Sequence, residues 1–359
     1  MKKEIKIVGA GLSGLTAAIN LAKAGFKVKV FEKNEIVGKR YHGDYQGIEN
    51  WIYEQDALEQ IKSFNLHIDF PYYPANNWNI VGPDGGTYNY QLEKPFVYVV
   101  KRGTQSDTLD QFLYHQACQV GVEIIFNSSK NHLQFGDIIA QGFFPDNITD
   151  VIAIGYTFPT RKPNQFWGLL NDEIAPDGYA YCLIANGQAT LAICIFRDYQ
   201  RRQEYLEKAF KIFQEKIGFE GVDKKFFGGT SNIYWIKTAT FNNRLYVGEA
   251  AGFIDGMWGF GMKYAIMTGY LAAQSIIQNQ NYDSLLKKYV YPSFKASLVN
   301  RWFYKILNRK GYQLFLKKIA KNPGTFFKKL YNYSFIHQLG FPFAKFFLRK
   351  ILKDRRKFS

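Results

Sequence analysis

Apolar positions change period twice within the first 32 residues. Ile5, Ile7 and Val8 make a short run that breaks at Gly9, and Gly11 and Gly14 follow at G-x-G-x-x-G spacing. Ala17, Ala18, Ile19 and Leu21 then recur at helical spacing up to Gly25, after which Val28 and Val30 alternate into a strand ending at Glu32. Period two, then 3.6, then two again predicts a β-α-β unit. Its glycines suit a tight turn, close backbone approach to a pyrophosphate and close helix–strand packing. The helix start offers free N–H groups to phosphate. Glu32 stands about twenty residues after the glycines, where an acid binds ribose hydroxyls. An ordinary tight turn needs neither all three glycines nor the acid, so dinucleotide binding is the reading.

Further on, Gly38, Gly43 and Gly47 punctuate a loop in which Lys39 and Arg40 are available for phosphate. Ile52, Leu58, Ile61 and Phe64 predict a helix, and residues 87–92 and 96–102 predict an antiparallel pair. Residues 104–121 read as a helix, followed by strands at Val122–Phe126 and at residues 151–155. Between about Phe166 and Tyr246 the pattern turns to short β segments, at residues 166–170, 179–185, 189–196 and 233–239, with one helix at 198–218. This predicts a sheet domain inserted into the nucleotide-binding one. A strand, a second glycine-rich loop (Gly248, Gly252, Gly256, Gly259, Gly261) and a helix over Met262–Ile277 follow. Two anion-receptive helix starts so far apart suggest one elongated cofactor gripped from both ends.

Composition changes this picture in one place. The formal charge is +16, yet residues 1–294 carry 29 bases and 29 acids. Residues 295–359 carry 17 Lys/Arg and a single acid, Asp354, interleaved with Phe, Leu and Tyr. On a helical projection of residues 341–357, Phe343, Ala344, Phe347, Leu348, Ile351 and Leu352 fill one half and Lys345, Arg349, Lys353 and Arg356 the other. That pattern predicts an interfacial helix on anionic lipid. It is preferred to a nucleic-acid patch and to a helix packed on the body with a solvated basic face. Cys118, Cys182 and Cys194 form no C-x-x-C and point to a reducing, cytosolic compartment. The first strand leaves no room for a signal peptide, and no apolar run has the length of a membrane span. A cytoplasmic, peripheral membrane protein is expected. His67, His115, His132 and His337 show no ligand spacing, so no metal is expected.

The N-terminal unit, residues 101–124, the motif PDGYAYCLIA and residues 248–273 together resemble the geranylgeranyl reductase family, flavoproteins of the para-hydroxybenzoate hydroxylase fold. The resemblance covers roughly residues 1–280. It implies an α/β fold, with an FAD-binding Rossmann-like domain, an inserted antiparallel β-sheet substrate domain and a C-terminal helical region. It also implies FAD as cofactor, an isoprenoid lipid as substrate, and reduction of carbon–carbon double bonds. Gly9, Gly11, Gly14 and Glu32, with Lys33 and Arg40, would serve the ADP half. Arg102 corresponds to an arginine near the cofactor. Gly248, Glu249 and Gly252 belong to the second loop, where Glu249 replaces the family's usual Asp near the ribityl and pyrophosphate. Gly259, Gly261 and Met262 would present N–H groups to the flavin's pyrimidine edge.

Here the family's Y-x-W-x-F-P reads Tyr179-x-Tyr181-x-Leu183-Ile184, and the proline expected in the second loop is Gly256. Tyr179 and Tyr181 are catalytic candidates that line a lipid cavity, or else core aromatics. His42 and Asp44 are candidates for proton supply, or else turn formers. The domain plan assigns residues 1–75, 96–160 and 241–284 to FAD, 76–95 and 161–240 to the substrate, and 285–359 to a basic membrane-facing region. A flavin monooxygenase or epoxidase on a hydrophobic substrate, and a non-catalytic FAD-containing lipid-binding protein, are the alternatives. No second nucleotide motif is visible, so the electron donor is NADPH or a small redox protein. Expected partners are the lipid, that donor and an anionic membrane surface, with no nucleic acid.

Overall fold

The computed structural model describes residues 3–128, 137–143, 150–307, 309–321 and 323–348. In chain order, β1 (Glu4–Val8), α1 (Leu12–Lys23) and β2 (Lys27–Phe31) form the first unit. β3 (Tyr45–Glu49), α2 (Ala57–Ser63), β4 (Tyr72–Ala75), β5 (Asn77–Val81), β6 (Thr87–Gln91) and β7 (Val97–Lys101) follow. Next come α3 (Leu109–Gln119), β8 (Glu123–Ile125), β9 (Ile138–Ile139), β10 (Val151–Pro159), β11 (Gln165–Leu169), β12 (Tyr179–Ala185) and β13 (Gln188–Ile195). After α4 (Arg202–Ile217), β14 (Lys225–Ser231), β15 (Thr240–Phe241) and β16 (Arg244–Tyr246), the chain is helical. Its helices there are α5 (Met262–Ile277), α6 (Tyr282–Tyr289), α7 (Tyr291–Lys305), α8 (Arg309–Lys321), α9 (Pro323–Tyr331) and α10 (Phe335–Phe347).

The first sheet has the order β15-β16-β9-β1-β2-β8 and is parallel from β16 to β8. Parallel strands buried on both faces need helices on both faces, and α1 is buried along Leu12–Leu21. Its third glycine explains how closely it sits. A Cβ on Gly14 would lie 2.0 Å from the Gly9 carbonyl oxygen.

A second sheet of order β14-β10-β13-β12-β11-β5-β6 is antiparallel except for β11 and β5. One face packs on α4 through Leu206, Ala209 and Phe213. A small antiparallel sheet, β3-β7-β4, is interleaved in the chain with β5 and β6 of the second. The α/β architecture with extra sheets and C-terminal helices expected from the sequence is therefore present.

Local pairing departs from the sequence reading at several points. β6 and β7 do not pair with each other. Both use the bent strand at residues 72–81, with β7 on β4 and β6 on β5, because Lys94 and Pro95 turn the chain from one sheet to the other. Residues 233–239 are irregular rather than β; Ile233, Tyr234 and Ile236 still bury their side chains in the nucleotide-domain core. Gly47 lies within β3 and not in a loop, and β10 continues past Gly155 to Pro159.

The C-terminal helices are bolted to the body by buried polar groups. Arg301 of α7 donates to the Asp177 carbonyl (2.6 Å) and lies 3.6 Å from the Phe196 ring centroid. Tyr304 donates to the Gly178 carbonyl at 2.9 Å, and Tyr90 of β6 donates to the Leu316 carbonyl at 3.1 Å. Their apolar side chains, among them Tyr312, Leu316 and Phe327, share a core with the second and third sheets. Of the predicted tail helix, Phe343, Ala344, Lys345 and Phe347 lie in α10, and Leu348 follows it. Ile351, Leu352, Arg349, Lys353 and Arg356 lie outside the described residues, as does His132.

The backbone contact at the first turn gives a direct test. Gly14→Ala forces its methyl into the Gly9 carbonyl, and should lower stability by about 1–3 kcal/mol or more, read as a shift in the denaturation midpoint.

Candidate cofactor and substrate site

A cavity of about 630 Å³ runs from the β1–α1 turn, past the second glycine loop, to an aromatic chamber. Its first end is built by backbone. Gly9 adopts φ +101°, a conformation open to glycine. Gly11 caps α1 without a side-chain bond, and a Cβ there would meet nothing within 4 Å. The first N–H groups of α1 therefore face open space inside the cavity, an arrangement suited to an anion. Glu32, at the end of β2, accepts from the Ala10 N–H (2.9 Å) and from the backbone and side chain of Asn34. Lys33 lies beside it on the cavity wall.

The second glycine loop reaches the same cavity. Glu249, Gly259, Gly261 and Met262 line it, and Gly261 caps α5 without a side-chain bond. Gly14, Gly248 and Gly252 do not line it. Gly248 and Gly252 sit at positive φ against Ser13 and Tyr234, so they shape the loop from behind. The loop is held by several groups at once. Asp255 accepts from the Met257 and Trp258 N–H groups and from the Tyr331 hydroxyl (2.8 Å). Burial pushes its carboxyl up to about 6. The Gly256 N–H donates to Ser297 at 3.0 Å.

Arg40, from the loop after β2, reaches the second glycine loop across the cavity wall. It pairs with Glu249 at 2.6 Å and donates to the Thr230 carbonyl at 2.9 Å, over the ring of Phe143. Burial opposes its charge, but the Glu249 carboxylate more than offsets this and holds the guanidinium firmly protonated. The other carboxylate oxygen of Glu249 is buried with no hydrogen-bond partner among the described residues. Arg102 also reaches the wall, but its fork is committed to Asp110 by two 2.8 Å bonds, with Tyr41 stacked 3.9 Å away. It braces the wall rather than offering free donors.

Behind the start of α5, Glu49 and Lys263 are buried, and neither side chain has a hydrogen-bond partner among the described residues. Burial pushes Glu49 up to about 7 and Lys263 down to about 8, and each one's charge counters the other's shift. Sequence spacing gave no sign of this pair.

Beyond the glycine loop the cavity becomes a chamber. Trp51 stacks on Phe96 (4.2 Å) and meets Phe260 and Phe327 edge-on or tilted. Trp78, Trp258, Phe315 and Ile319 complete the wall. The sequence reading missed these residues because their spacing is that of ordinary core; only the 18% aromatic content hinted at them.

Tyr179 and Tyr181 project from β12 into this wall, 6.1 Å apart. Tyr179 donates to the Trp258 carbonyl at 2.7 Å and so anchors the glycine loop. Burial raises both phenols well above the usual range, which keeps their protons on. His42 lies against Phe227 at the wall. The Asp44 carboxylate turns back on its own loop, accepting from the His42 N–H and the Gln46 side chain.

The residues present fit FAD. Both helix starts lie on one elongated cavity, Gly11 leaves room for a pyrophosphate, and a buried acceptor on Glu249 is without a donor among the described residues.

The chain matches the NAD(P)-binding Rossmann-like domain over residues 7–48. Thiamine thiazole synthase of Pyrococcus abyssi is 35% identical over 69 residues, covering 19% of this chain and 27% of that protein. The chain thus spans well under a third of the length of the curated relatives it matches. Likeness in structure extends much further. A geranylgeranyl bacteriochlorophyll reductase-like protein of Thermoplasma acidophilum superposes with TM-score 0.68 at 20% identity, covering 98% of this chain and 100% of that one. A flavin-dependent brominase superposes with TM-score 0.64 at 14% identity, covering 96% and 99%. The fold suggested by the sequence resemblance is the fold of this chain.

Two outcomes are expected. Gly11→Val fills space that only a ligand uses, so it should cost the apoprotein no more than about 1 kcal/mol yet abolish co-purified flavin, measured by absorbance. Lys263→Met leaves Glu49 buried without its cation and should destabilise by about 3–5 kcal/mol at neutral pH, whereas Glu49→Gln/Lys263→Met should recover most of that loss in chemical denaturation.

Proposed function

We propose that the protein is an FAD-dependent oxidoreductase that reduces carbon–carbon double bonds of an isoprenoid lipid at an anionic membrane surface. One observation carries this reading: the cavity that joins the two helix starts continues into a chamber walled by Trp51, Trp78, Phe96, Trp258, Phe315 and Phe327. Such a wall suits a long apolar chain and excludes water.

Bound FAD would supply the two-electron reducing power. The chain's own groups do the rest. The α1 start and Arg40 would hold the pyrophosphate, and Glu32 the adenosine ribose. The N–H groups of Gly261 and Met262 would face the ring, where a helix start favours negative charge. Tyr181 is the proton-holding group we favour, since its side chain is part of the cavity wall and burial keeps the phenol protonated. His42 and Asp44, which line the same cavity, would be the alternative proton sources. Residues 76–95 and 161–240 would form the substrate domain. Electrons would come from NADPH or a small redox protein.

A brominase of the same fold shows that the scaffold alone does not select a chemistry, so the test must separate outcomes. The protein is incubated with a geranylgeranyl lipid after chemical reduction of its flavin, and the lipid is analysed by mass spectrometry. A gain of hydrogen pairs, lost or greatly slowed in Tyr181→Phe, is expected. Lipid-dependent oxygen consumption with an oxygenated product would mean a monooxygenase instead. A flavin that cannot be reduced and reoxidised would mean a non-catalytic lipid carrier.

A further inference from the structure

α10 is apolar on two sides. His337, Gly340, Ala344 and Leu348 recur at helical spacing, and that side packs on α7. The other side carries Phe335, Ile336, Leu339, Phe343, Phe346 and Phe347, each between 58% and 69% exposed. Trp302 of α7 stacks on Phe343 (6.2 Å, 16°) and Phe347 (5.6 Å, 8°), and Phe303 and Ile306 extend the row, also exposed. The result is one continuous aromatic ridge. A solvent-facing apolar surface of this kind marks an interface.

Charge identifies what covers it. The ridge belongs to residues 295–359, with 17 bases and one acid. A second copy of the same ridge would bring two strongly cationic regions together, whereas an anionic bilayer complements both the rings and the charge. The same helical region has a second, inner face. Phe315 and Ile319 of α8 and Phe327 of α9 line the chamber, and the α8 side chains Tyr312 and Leu316 are buried beside them.

We infer that the α7–α10 ridge seats in the headgroup–acyl boundary of an anionic bilayer, and that the substrate passes from that bilayer into the chamber through the α8–α9 wall. Docking stands on the ridge alone; passage rests on the reading of the chamber as a lipid site. This differs from the tail helix expected from sequence, in which Phe343 and Phe347 shared a face with Ala344 and Leu348. Here Ala344 and Leu348 pack inward while the phenylalanines face out.

The test uses the full-length flavoprotein with phosphatidylglycerol–phosphatidylcholine vesicles. Wild type should sediment with them at low salt and less so at high salt. Leu339→Ser/Phe343→Ser/Phe347→Ser, which changes exposed side chains, should bind at least about tenfold more weakly with its flavin content intact. Chain-brominated lipid should quench a fluorescence component that Trp302→Phe lacks, a readout on a nearly native chain. Turnover of a geranylgeranyl lipid held in vesicles should fall with binding in the triple variant, while turnover of a short soluble isoprenoid alcohol stays at the wild-type rate. Wild type that ignores vesicles, a ridge variant that binds them equally, or a ridge that drives self-association without vesicle binding would overturn docking. Vesicle binding without turnover of either substrate would overturn passage and the functional reading while docking stands. Turnover of vesicle lipid unaffected by loss of binding would overturn passage alone.

Discussion

Two helices touch backbone to backbone, and the rest of the site depends on it. A Cβ on Gly269 of α5 would lie 2.2 Å from the Ser13 carbonyl oxygen of α1. Glycine inside a helix costs about 0.5–1 kcal/mol relative to alanine, so its presence here marks a packing need. Gly14, in the first turn of α1, meets the same need against Gly9. With both side chains absent, two helices that begin some 250 residues apart in the chain (Leu12 and Met262) start on one cavity. Each start brings unpaired N–H groups and the positive end of a helix dipole.

From this pairing follows the division of labour around the cavity. Arg40, from the loop after β2, pairs with Glu249 of the second loop and donates to the Thr230 carbonyl, so it ties that loop to the end of the large sheet on the cavity wall. The second loop in turn is held from opposite sides, by Tyr179 of the large sheet and by Ser297 and Tyr331 of the C-terminal helices. The C-terminal region is therefore a member of the site's frame as well as its outer wall. A change in α7 or α9 acts on the second glycine loop through one or two hydrogen bonds, each worth about 0.5–1.5 kcal/mol.

What was legible in the sequence was what backbone geometry fixes locally. Gly9, Gly11 and Gly14 between two apolar runs announce a β-α-β unit, and Gly259 and Gly261 before a long apolar helix announce a second start. The pairing of β6 and β7 was not legible, because the turn at Lys94 and Pro95 carries the chain between two sheets, and each strand finds its partner upstream, in residues 72–81. Ile233 and Tyr234 have strand-like composition, yet their burial is satisfied by side chains alone. The chamber escaped detection for a related reason. Phe315 and Phe327 at helical spacing look like any core, and only tertiary packing turns them toward a cavity. Nor could local pattern reveal that Glu49 and Lys263, 214 positions apart by residue number, are buried near enough for each to act on the other's charge.

The central claim is that one cofactor is gripped by both helix starts together. Calorimetric titration of the apoprotein with FAD, FMN and ADP tests it most directly. FAD should bind tighter than either half by more than about a hundredfold, as expected when two sites are joined by one ligand. If ADP alone binds as tightly as FAD, the second glycine loop does not hold the cofactor and the account fails.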